Sequence, residues 1–321
     1  MPYNKGKKSR LLDFVMSVML PEKCPDPLSL RLSNNSKNVN LIMQKSIVEM
    51  RRIMEQISTK IKNKKLFLLD IDGTISFDST LFDGSMDFLQ QVNANGGKYV
   101  FITNNSTKSI ADYITKFEKW EIPVDETSFL TASYATALYL KENYGEDLLF
   151  VLGTASFIKE LRSFGLHVTE ELEDGIKAAV VGFDNELNYD KLTKICELLQ
   201  TREVDYLATN PDLVCPVGFG FVPDCGAICG MIETAVKRQP KYIGKPNPVI
   251  VEMAMKNNNC KPEDVLVIGD RLYTDIACGI NAGVDTAVVF TGEAQMEDLK
   301  DTEFVPTYYC DNIRNIYDCI K

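Results

Sequence analysis

Histidine and tryptophan are the scarcest residues of this 321-residue chain, which contains one of each. With His167 as the single histidine, most mechanisms in which a histidine acts as the base are excluded, and so are histidine-rich metal sites. The cysteines do not take its place, because Cys225 and Cys229 lie four residues apart and no second pair of cysteines matches them. A structural zinc site is therefore not expected.

Long apolar runs are also missing, and over most of the chain acidic residues outnumber basic ones. No stretch approaches the roughly 20 apolar residues that a membrane-spanning helix needs. Residues 1–65 contain 14 Lys/Arg and 5 Asp/Glu, whereas the remaining residues contain 21 and 40. An acidic body argues against nucleic acid as the main partner. Nine cysteines, an odd number without a pairing pattern, predict reduced thiols and a cytoplasmic location.

The order of apolar segments predicts an α/β fold. The chain is long enough for about two domains, and from residue 65 short apolar runs alternate with helical patterns. The predicted strands are 66–71, 98–103, 128–132, 148–152, 178–183, 204–208, 240–243, 264–269 and 285–290. The predicted helices are 84–95, 106–119, 133–144, 155–164, 188–201, 247–259 and 273–282. This alternation favours a largely parallel sheet that binds its ligand beyond the carboxyl ends of the strands.

Residues 1–64 form a basic extension for which we predict helical structure. Between residues 39 and 62, apolar side chains recur at spacings of four and three, which gives one apolar stripe along a helix. The stripe consists of Met43, Ile47, Met50, Met54, Ile57 and Ile61. Packing of this helix on its own protein and contact with a partner both remain open.

The strand at 66–71 delivers two carboxylates to one place. Alternate residues of an extended chain point to the same side, so Asp70 and Asp72 are expected together at the strand end, and Gly73 allows a sharp turn after them. Two adjacent carboxylates are costly to bury unless a cation or hydrogen bonds compensate them. Either a cation or hydrogen bonds are therefore expected at this strand end.

Three further strand ends carry residues suited to phosphate and metal. The strand at 98–103 ends in Thr103 and is followed by Asn104 and Asn105, and the hydroxyl, amides and backbone N–H groups of these residues can bind phosphate oxygens. Lys245 lies where a strand meets a helix and can neutralise carboxylates and phosphate alike. Asp270 and Asp275 follow the strand at 264–269, and oxygen ligands of this kind suit Mg²⁺.

The four segments together resemble a known family. LFLLDIDGT, TNNS, GKPNP and GDRLYTDI resemble, in this order, the four motifs of the haloacid dehalogenase-like hydrolases. The TNNS form is similar to the NagD-like and nitrophenylphosphatase branch. The resemblance covers about residues 65–295 and implies a doubly wound, mainly parallel catalytic core of residues 65–145 and 240–321. It also implies that 146–239 is an inserted α/β cap domain.

The resemblance also implies roles for individual residues. Asp70 would be the nucleophile and Asp72 the general acid and base, with Mg²⁺ held by Asp70, the backbone carbonyl of Asp72, and Asp270. Thr103, Asn104, Asn105 and Lys245 would hold the phosphate, and Asp275 would orient Lys245 or metal-bound water. In the cap, we expect the loop Asn210–Pro223 to select the substrate, with Asn210, Asp212 and Cys215 as candidates.

These features predict a Mg²⁺-dependent phosphomonoesterase that hydrolyses a small phosphorylated metabolite through an aspartyl-phosphate. A sugar phosphate, phosphoglycolate or a similar ester would be the substrate, and nitrophenyl phosphate an artificial one. A phosphomutase would share the aspartyl-phosphate and stays an alternative, as does a non-catalytic binding protein on the same fold. A homo-oligomer formed through the cap or the N-terminal helix is also left open.

Overall fold

The computed structural model describes Arg52 and residues 55–321, so most of the predicted N-terminal extension lies outside the described residues. Helix α1 is described over 55–62, and its residues Ile57 and Ile61 are buried in an apolar cluster beneath the first sheet. The described part of the predicted stripe therefore packs on the body of the protein. The rest of the stripe falls on residues that are not described.

The described chain contains short strands and longer helices in alternation. The strands are β1 (Leu66–Leu69), β2 (Ser76–Phe77), β3 (Thr80–Leu81), β4 (Lys98–Thr103), β5 (Phe129–Thr131), β6 (Leu148–Leu152), β7 (His167–Thr169), β8 (Ile176–Val181), β9 (Asp205–Ala208), β10 (Val214–Val217), β11 (Gly220–Pro223), β12 (Lys241–Tyr242), β13 (Val265–Gly269), β14 (Asp285–Val289) and β15 (Tyr308–Cys310). The helices after α1 are α2 (Ser85–Ala94), α3 (Ile110–Glu118), α4 (Ala132–Tyr144), α5 (Ala155–Ser163), α6 (Tyr189–Thr201), α7 (Cys225–Val236), α8 (Val249–Asn258), α9 (Ala277–Asn281) and α10 (Ile313–Ile320). Single turns of 3₁₀-helix occur at Glu126–Ser128, Pro262–Asp264 and Met296–Lys300, and a π-helix at Leu272–Ile276.

Six parallel strands form the first sheet, in the order β15-β14-β13-β1-β4-β5. Every residue of β1 and β13 is buried, as expected for unbroken apolar strands that are covered on both faces. Phe67 and Leu69 enter the apolar cluster on one face, whereas Leu66 and Leu68 enter the cluster on the other. The alternation of a strand thus places the first sheet between two layers of apolar packing.

The strand order reverses beside β1. The chain runs outward from β1 to β4 and β5, and the strands on the other side of β1 come from the C-terminal part of the sequence. Parallel sheets bind ligands at such a switch, beyond the carboxyl ends of the strands. Asp70 directly follows β1 and Asp270 directly follows β13, so both lie at this switch.

A second sheet of five parallel strands has the order β12-β9-β8-β6-β7 and its own apolar core. Its edge strand β12 pairs with β9 through Lys241 and Tyr242, just beyond the predicted boundary at residue 239. The predicted α/β class, with a mainly parallel core sheet and a second α/β unit, is confirmed. The exact domain boundaries stay a prediction. None of the helices in the described part of the chain is long and apolar enough to span a membrane.

Candidate active site

Three carboxylates meet at the carboxyl edge of the first sheet. Asp70, Asp270 and Asp275 are buried, and one oxygen of each lies within 4.8 Å of the others. Asp70 and Asp270 come from the ends of the neighbouring strands β1 and β13, and the backbone N–H of Asp70 donates to the carbonyl of Ile268 at 2.9 Å. The predicted meeting of these aspartates is therefore seen in the structure.

Lys245 joins this cluster from the segment after β12. Its Nζ lies 2.7 Å from Oδ1 of Asp70, 2.5 Å from Oδ1 of Asp275 and 3.1 Å from the carbonyl oxygen of Ile102. Burial alone would lower the pKa of this amine, but the charges of Asp275 and Asp70 outweigh it and raise the pKa. Lys245 therefore stays protonated between the two carboxylates.

One lysine does not compensate three buried carboxylates. Burial raises the pKa of Asp70 well above its ordinary value, and Lys245 only partly opposes this rise. Burial, with the charge of Asp275, raises the pKa of Asp270 to about 7. The site therefore has more negative charge than its own cations balance, which is an arrangement that attracts an added cation.

The π-helix Leu272–Ile276 places Asp275 in the cluster. The backbone N–H groups of Asp275 and Ile276 both donate to the carbonyl of Arg271, at 3.1 Å each. This wide turn brings the Asp275 side chain against Gly269, where a Cβ atom would collide with it. Wide turns of this kind are frequent at functional sites, and this one brings a third carboxylate within reach of the first two.

Asp72 lies at the edge of the cluster and is less buried than Asp70. Its side chain is 20% exposed, and its Oδ1 lies 3.1 Å from Nζ of Lys116 on α3. The turn after it needs Gly73, whose φ of 101° is the left-handed conformation that side chains oppose. A partly exposed carboxylate beside a buried one is suited to exchange protons with a substrate or with water.

The segment after β4 is close to the lysine. The Asn104 side chain accepts a hydrogen bond from the Lys245 N–H at 2.9 Å and donates one to the Lys245 carbonyl at 3.0 Å. The Thr103 hydroxyl accepts from the N–H of Asn105 at 3.1 Å. Helix α3 begins at Ile110 with Ser109 as its N-cap, later than the predicted start at 106, so residues 104–108 form a loop beside the site.

Of the three cap candidates, two reach the core. Asn210 Nδ2 donates to the Asn104 carbonyl at 2.6 Å, and Asp212 Oδ1 accepts from Asn104 Nδ2 at 3.3 Å. Cys215 lies on β10, and burial raises its pKa to about 12, with the charges of Asp224 and Asp72 adding to the rise. The loop Asn210–Pro223 thus lies against the core residues that follow β4.

The structure adds residues that the sequence prediction missed. Arg271 contacts Asp212 and Glu293, Glu293 N–H donates to Asp270 Oδ2 at 2.8 Å, and Lys116 contacts Asp72. Arg271 could have been found, because it directly follows Asp270 in the fourth motif. Glu293 and Lys116 have no motif of their own, and only the fold brings them to the site.

Two family models match the chain. One is described as haloacid dehalogenase-like hydrolase and covers residues 67–167, and the other, a model of the same type, covers residues 242–316. The first match contains Asp70, Asp72 and Thr103, and the second contains Lys245 and Asp270. The two matches therefore include the strand ends that meet in the structure.

Similar proteins agree with these models. An acid sugar phosphatase of Staphylococcus haemolyticus is 32% identical over 247 residues, which are 77% of this chain and 93% of that protein. The structure of a 4-nitrophenylphosphatase from Thermotoga maritima has a TM-score of 0.76 and 35% identity, and the match covers 82% of this chain and 99% of that one. NagD from Escherichia coli K-12 has a TM-score of 0.70 and 30% identity over 78% of this chain and 98% of its own.

These matches extend over both sheets and confirm the resemblance that the four motifs indicate. They also confirm the predicted enzyme class, since the similar proteins are phosphatases by name. The chain belongs to the haloacid dehalogenase-like hydrolases, within their NagD-like and nitrophenylphosphatase branch.

Proposed function

We propose that the protein is a Mg²⁺-dependent phosphomonoesterase that hydrolyses a small phosphorylated metabolite. The observation that carries the proposal is the contact of Lys245 with Asp70 in a buried cluster of aspartates at the switch of the first sheet. A lysine and a metal can together neutralise the oxygens of a phosphate, and a neighbouring carboxylate can then attack the phosphorus.

The buried charges fit a divalent cation. Four carboxylates are buried here, those of Asp70, Asp212, Asp270 and Asp275, against the two cations Lys245 and Arg271. When all four carboxylates are ionised, they exceed the two cations by two negative charges, and oxygen donors within 4.8 Å of one another are the ligands that Mg²⁺ prefers. Asp70, Asp270 and the backbone carbonyl of Asp72 would hold the ion. When bound, it would neutralise charge on the transferring phosphoryl group.

Asp70 is the proposed nucleophile. Lys245 holds its Oδ1, and within the described chain no hydrogen bond is made by its Oδ2. Attack of this oxygen on phosphorus forms the aspartyl-phosphate while the bond from phosphorus to the leaving oxygen breaks. Asp72 would give that oxygen its proton and then take one from water. Attack of that water on phosphorus would release phosphate and restore Asp70.

The phosphate contacts would come from the loop after β4. Thr103 is buried, and its hydroxyl accepts from Asn105 N–H, so its own proton is directed elsewhere and can be donated to a phosphate oxygen. The Asn104 side chain already binds the Lys245 backbone. We therefore expect Asn104 to donate its backbone N–H to phosphate and to hold Lys245 in place through its side-chain amide.

A small substrate fits the position of the second sheet. The loop Asn210–Pro223 contacts the core beside the site. A cap in this position would enclose a small molecule and exclude water. The names of the similar proteins, acid sugar phosphatase and 4-nitrophenylphosphatase, support small phosphoric monoesters as the substrate class.

A panel of phosphorylated metabolites tests the proposal. Sugar phosphates, phosphoglycolate and nitrophenyl phosphate are each incubated with the purified protein and Mg²⁺, and released phosphate is measured as kcat/KM. We expect release with at least one metabolite and with nitrophenyl phosphate. Isomerised sugar phosphate without free phosphate would identify a mutase, and inertness toward the whole panel would favour a binding protein.

A further inference from the structure

Arg271 connects the cap loop to the core with three hydrogen-bonded contacts. Its Nη1 lies 2.7 Å from Oδ2 of Asp212, and its Nη2 donates to the carbonyl of Val214 at 2.9 Å. Its Nε lies 2.8 Å from Oε2 of Glu293, which belongs to the core segment after β14. One planar guanidinium therefore bonds to both parts of the protein through a fixed fork of donors.

On the core side, these contacts lead directly to two of the clustered carboxylates. The backbone N–H of Arg271 donates to Asp275 Oδ2 at 3.1 Å. The backbone N–H of Glu293 donates to Asp270 Oδ2 at 2.8 Å. A shift of the Arg271 side chain and of its partner Glu293 would therefore change the positions of the groups that bind Asp270 and Asp275.

On the cap side, the contact leads to the lysine of the site. Asp212 uses Oδ2 for Arg271 and Oδ1 for Asn104, whose amide binds both backbone groups of Lys245. Both oxygens of Asp212 are thus occupied. Asp212 is better explained as a link between cap and core than as a group that contacts substrate.

Burial makes this link an obligatory one. The side chains of Asp212 and Arg271 are 3% and 11% exposed. A buried charge that loses its partner is strongly destabilising. Separation of the cap loop from the core at this contact would therefore be costly. An exposed pair would lack this property, because water would replace the lost partner.

We propose that Arg271 is a positioning residue that couples the placement of the cap hairpin β10–β11 to the alignment of the core carboxylates. Through Asp212 and Val214 it fixes the root of the hairpin, and through Glu293 it steadies the segment that binds Asp270. The inference deepens the proposed phosphatase function. Its effect on kinetics rests on that function, whereas its effect on the placement of the hairpin can be tested without catalysis.

Kinetics of Arg271→Met, Arg271→Lys and Asp212→Asn test the first part. Arg271→Met should lower kcat/KM for nitrophenyl phosphate on the order of a hundred-fold, mainly through kcat, because misplacement of catalytic groups by about 1 Å has effects of this size. Its Mg²⁺ requirement should rise. Arg271→Lys can keep the pair with Asp212 but cannot keep all three contacts, so its loss should be intermediate.

Hydrogen exchange of the metal-free protein tests the second part without activity. The amides of residues 213–224, which include the bond from Asp224 N–H to the Leu213 carbonyl, should exchange faster in Arg271→Met and in Asp212→Asn. The double variant should add little to Arg271→Met, because that variant already removes the contact with Asp212. Lys191→Met is the matched control, since it breaks a 2.7 Å pair with buried Asp184 elsewhere in the cap.

The outcomes are distinguishable. If the wild type is inert with every phosphomonoester, the proposed function fails, and the exchange data alone decide the coupling. Loss of activity in Arg271→Met with unchanged exchange of 213–224 and a normal Asp212→Asn would show a direct role on substrate, against the proposal. A lower Tm with unchanged kcat, KM and Mg²⁺ requirement would show a purely structural role, and the proposal would be wrong.

Discussion

The two parallel sheets of this protein share an architecture and differ in the charges at their strand ends. In the first sheet, Asp70 and Asp270 follow neighbouring strands and are joined by Asp275, and Lys245 bonds to Asp70 and to Asp275. In the second sheet, the strand ends carry mainly small neutral residues, such as Gly153 after β6 and Gly182 after β8. The parallel sheet only supplies a suitable edge. The residues that follow each strand decide whether that edge can form a catalytic site.

The buried carboxylates of the two sheets show the difference most directly. Asp184 follows β8 and is buried, but it has its own lysine, Lys191, whose Nζ lies 2.7 Å away. In the first sheet three buried carboxylates lie together, and the one lysine among them bonds only to Asp70 and Asp275. A carboxylate with its own cation is a structural pair, whereas a group with excess charge is arranged for a further cation.

The sharpest test of this comparison changes one buried carboxylate in each sheet. Asp70→Asn should lower kcat for nitrophenyl phosphate by roughly four orders of magnitude, because the nucleophile is lost while its size is kept. Asp184→Asn should leave kcat nearly unchanged and lower only the stability. The measurement is released nitrophenolate per folded molecule. Wild-type turnover by the Asp70→Asn variant would refute the assignment of the nucleophile.

Removal of divalent cations should have the next largest effect. Chelation is expected to lower kcat/KM roughly a hundred-fold or more, since a metal supplies several kcal/mol to stabilise charge in the transition state. Added Mg²⁺ should restore the rate. Ca²⁺ should restore it poorly, because calcium takes more ligands at longer distances than the octahedron of magnesium. Full activity after exhaustive chelation would show that the excess negative charge of the cluster has another purpose.

A smaller effect is expected at the tip of the cap hairpin, away from Arg271. Phe219 and Phe221 are 85% and 57% exposed, and replacing both by alanine should lower kcat/KM for a preferred metabolite about ten-fold. Nitrophenyl phosphate should lose less, because its good leaving group depends little on cap contacts. Tyr189→Ala is the matched control, as Tyr189 is 83% exposed elsewhere on the cap. Equal losses on both substrates would contradict a role in substrate selection.

Much of the fold could be predicted because buried strands have a plain pattern. The strands at 98–103 and 148–152 were predicted with the bounds that the structure has, and both contain a continuous apolar run, which in the first ends before Thr103. Helix α7 was missed, because its sequence CGAICGMIETAV combines glycines with an apolar run and shows no clear helical period. The edge strand β15, which has only three residues, and the helix α10 after it were also missed.

Only those site residues that end a strand or directly follow one could be predicted from the sequence. Asp70, Thr103 and Asp270 end or follow strands that pair as neighbours in a parallel sheet, so their meeting follows from the fold class. The contact of Arg271 with Asp212 joins residues 59 positions apart in sequence. No local pattern specifies such a pair, because it depends on how the second sheet packs on the first.

The smallest expected effect is on stability, and its sign follows from the raised pKa values. In the folded, metal-free protein the pKa of Asp270 rises from its ordinary value of 3.8 to about 7, mainly through burial, and that of Asp70 is raised as well. Between these pH values the folded state binds more protons than the unfolded state, so stability falls as the pH rises from about 4 to about 7. Mg²⁺ should reverse this fall, because it binds the deprotonated carboxylates of the folded state only.

Thermal unfolding with and without Mg²⁺, at pH 5 and pH 7.5, measures this effect. Mg²⁺ should raise Tm by roughly 5 °C at pH 7.5 and by much less at pH 5, where protons occupy the carboxylates. Glu160, whose pKa burial raises to about 7, contributes to the pH dependence with or without the metal, so only the difference between the two conditions reports the cluster. Glu160→Gln should keep that difference, and Asp270→Asn should lose it. An equal Mg²⁺ effect at both pH values would mean that protons and metal do not compete for the cluster. The contrast between paired and excess buried charge would then not explain metal binding.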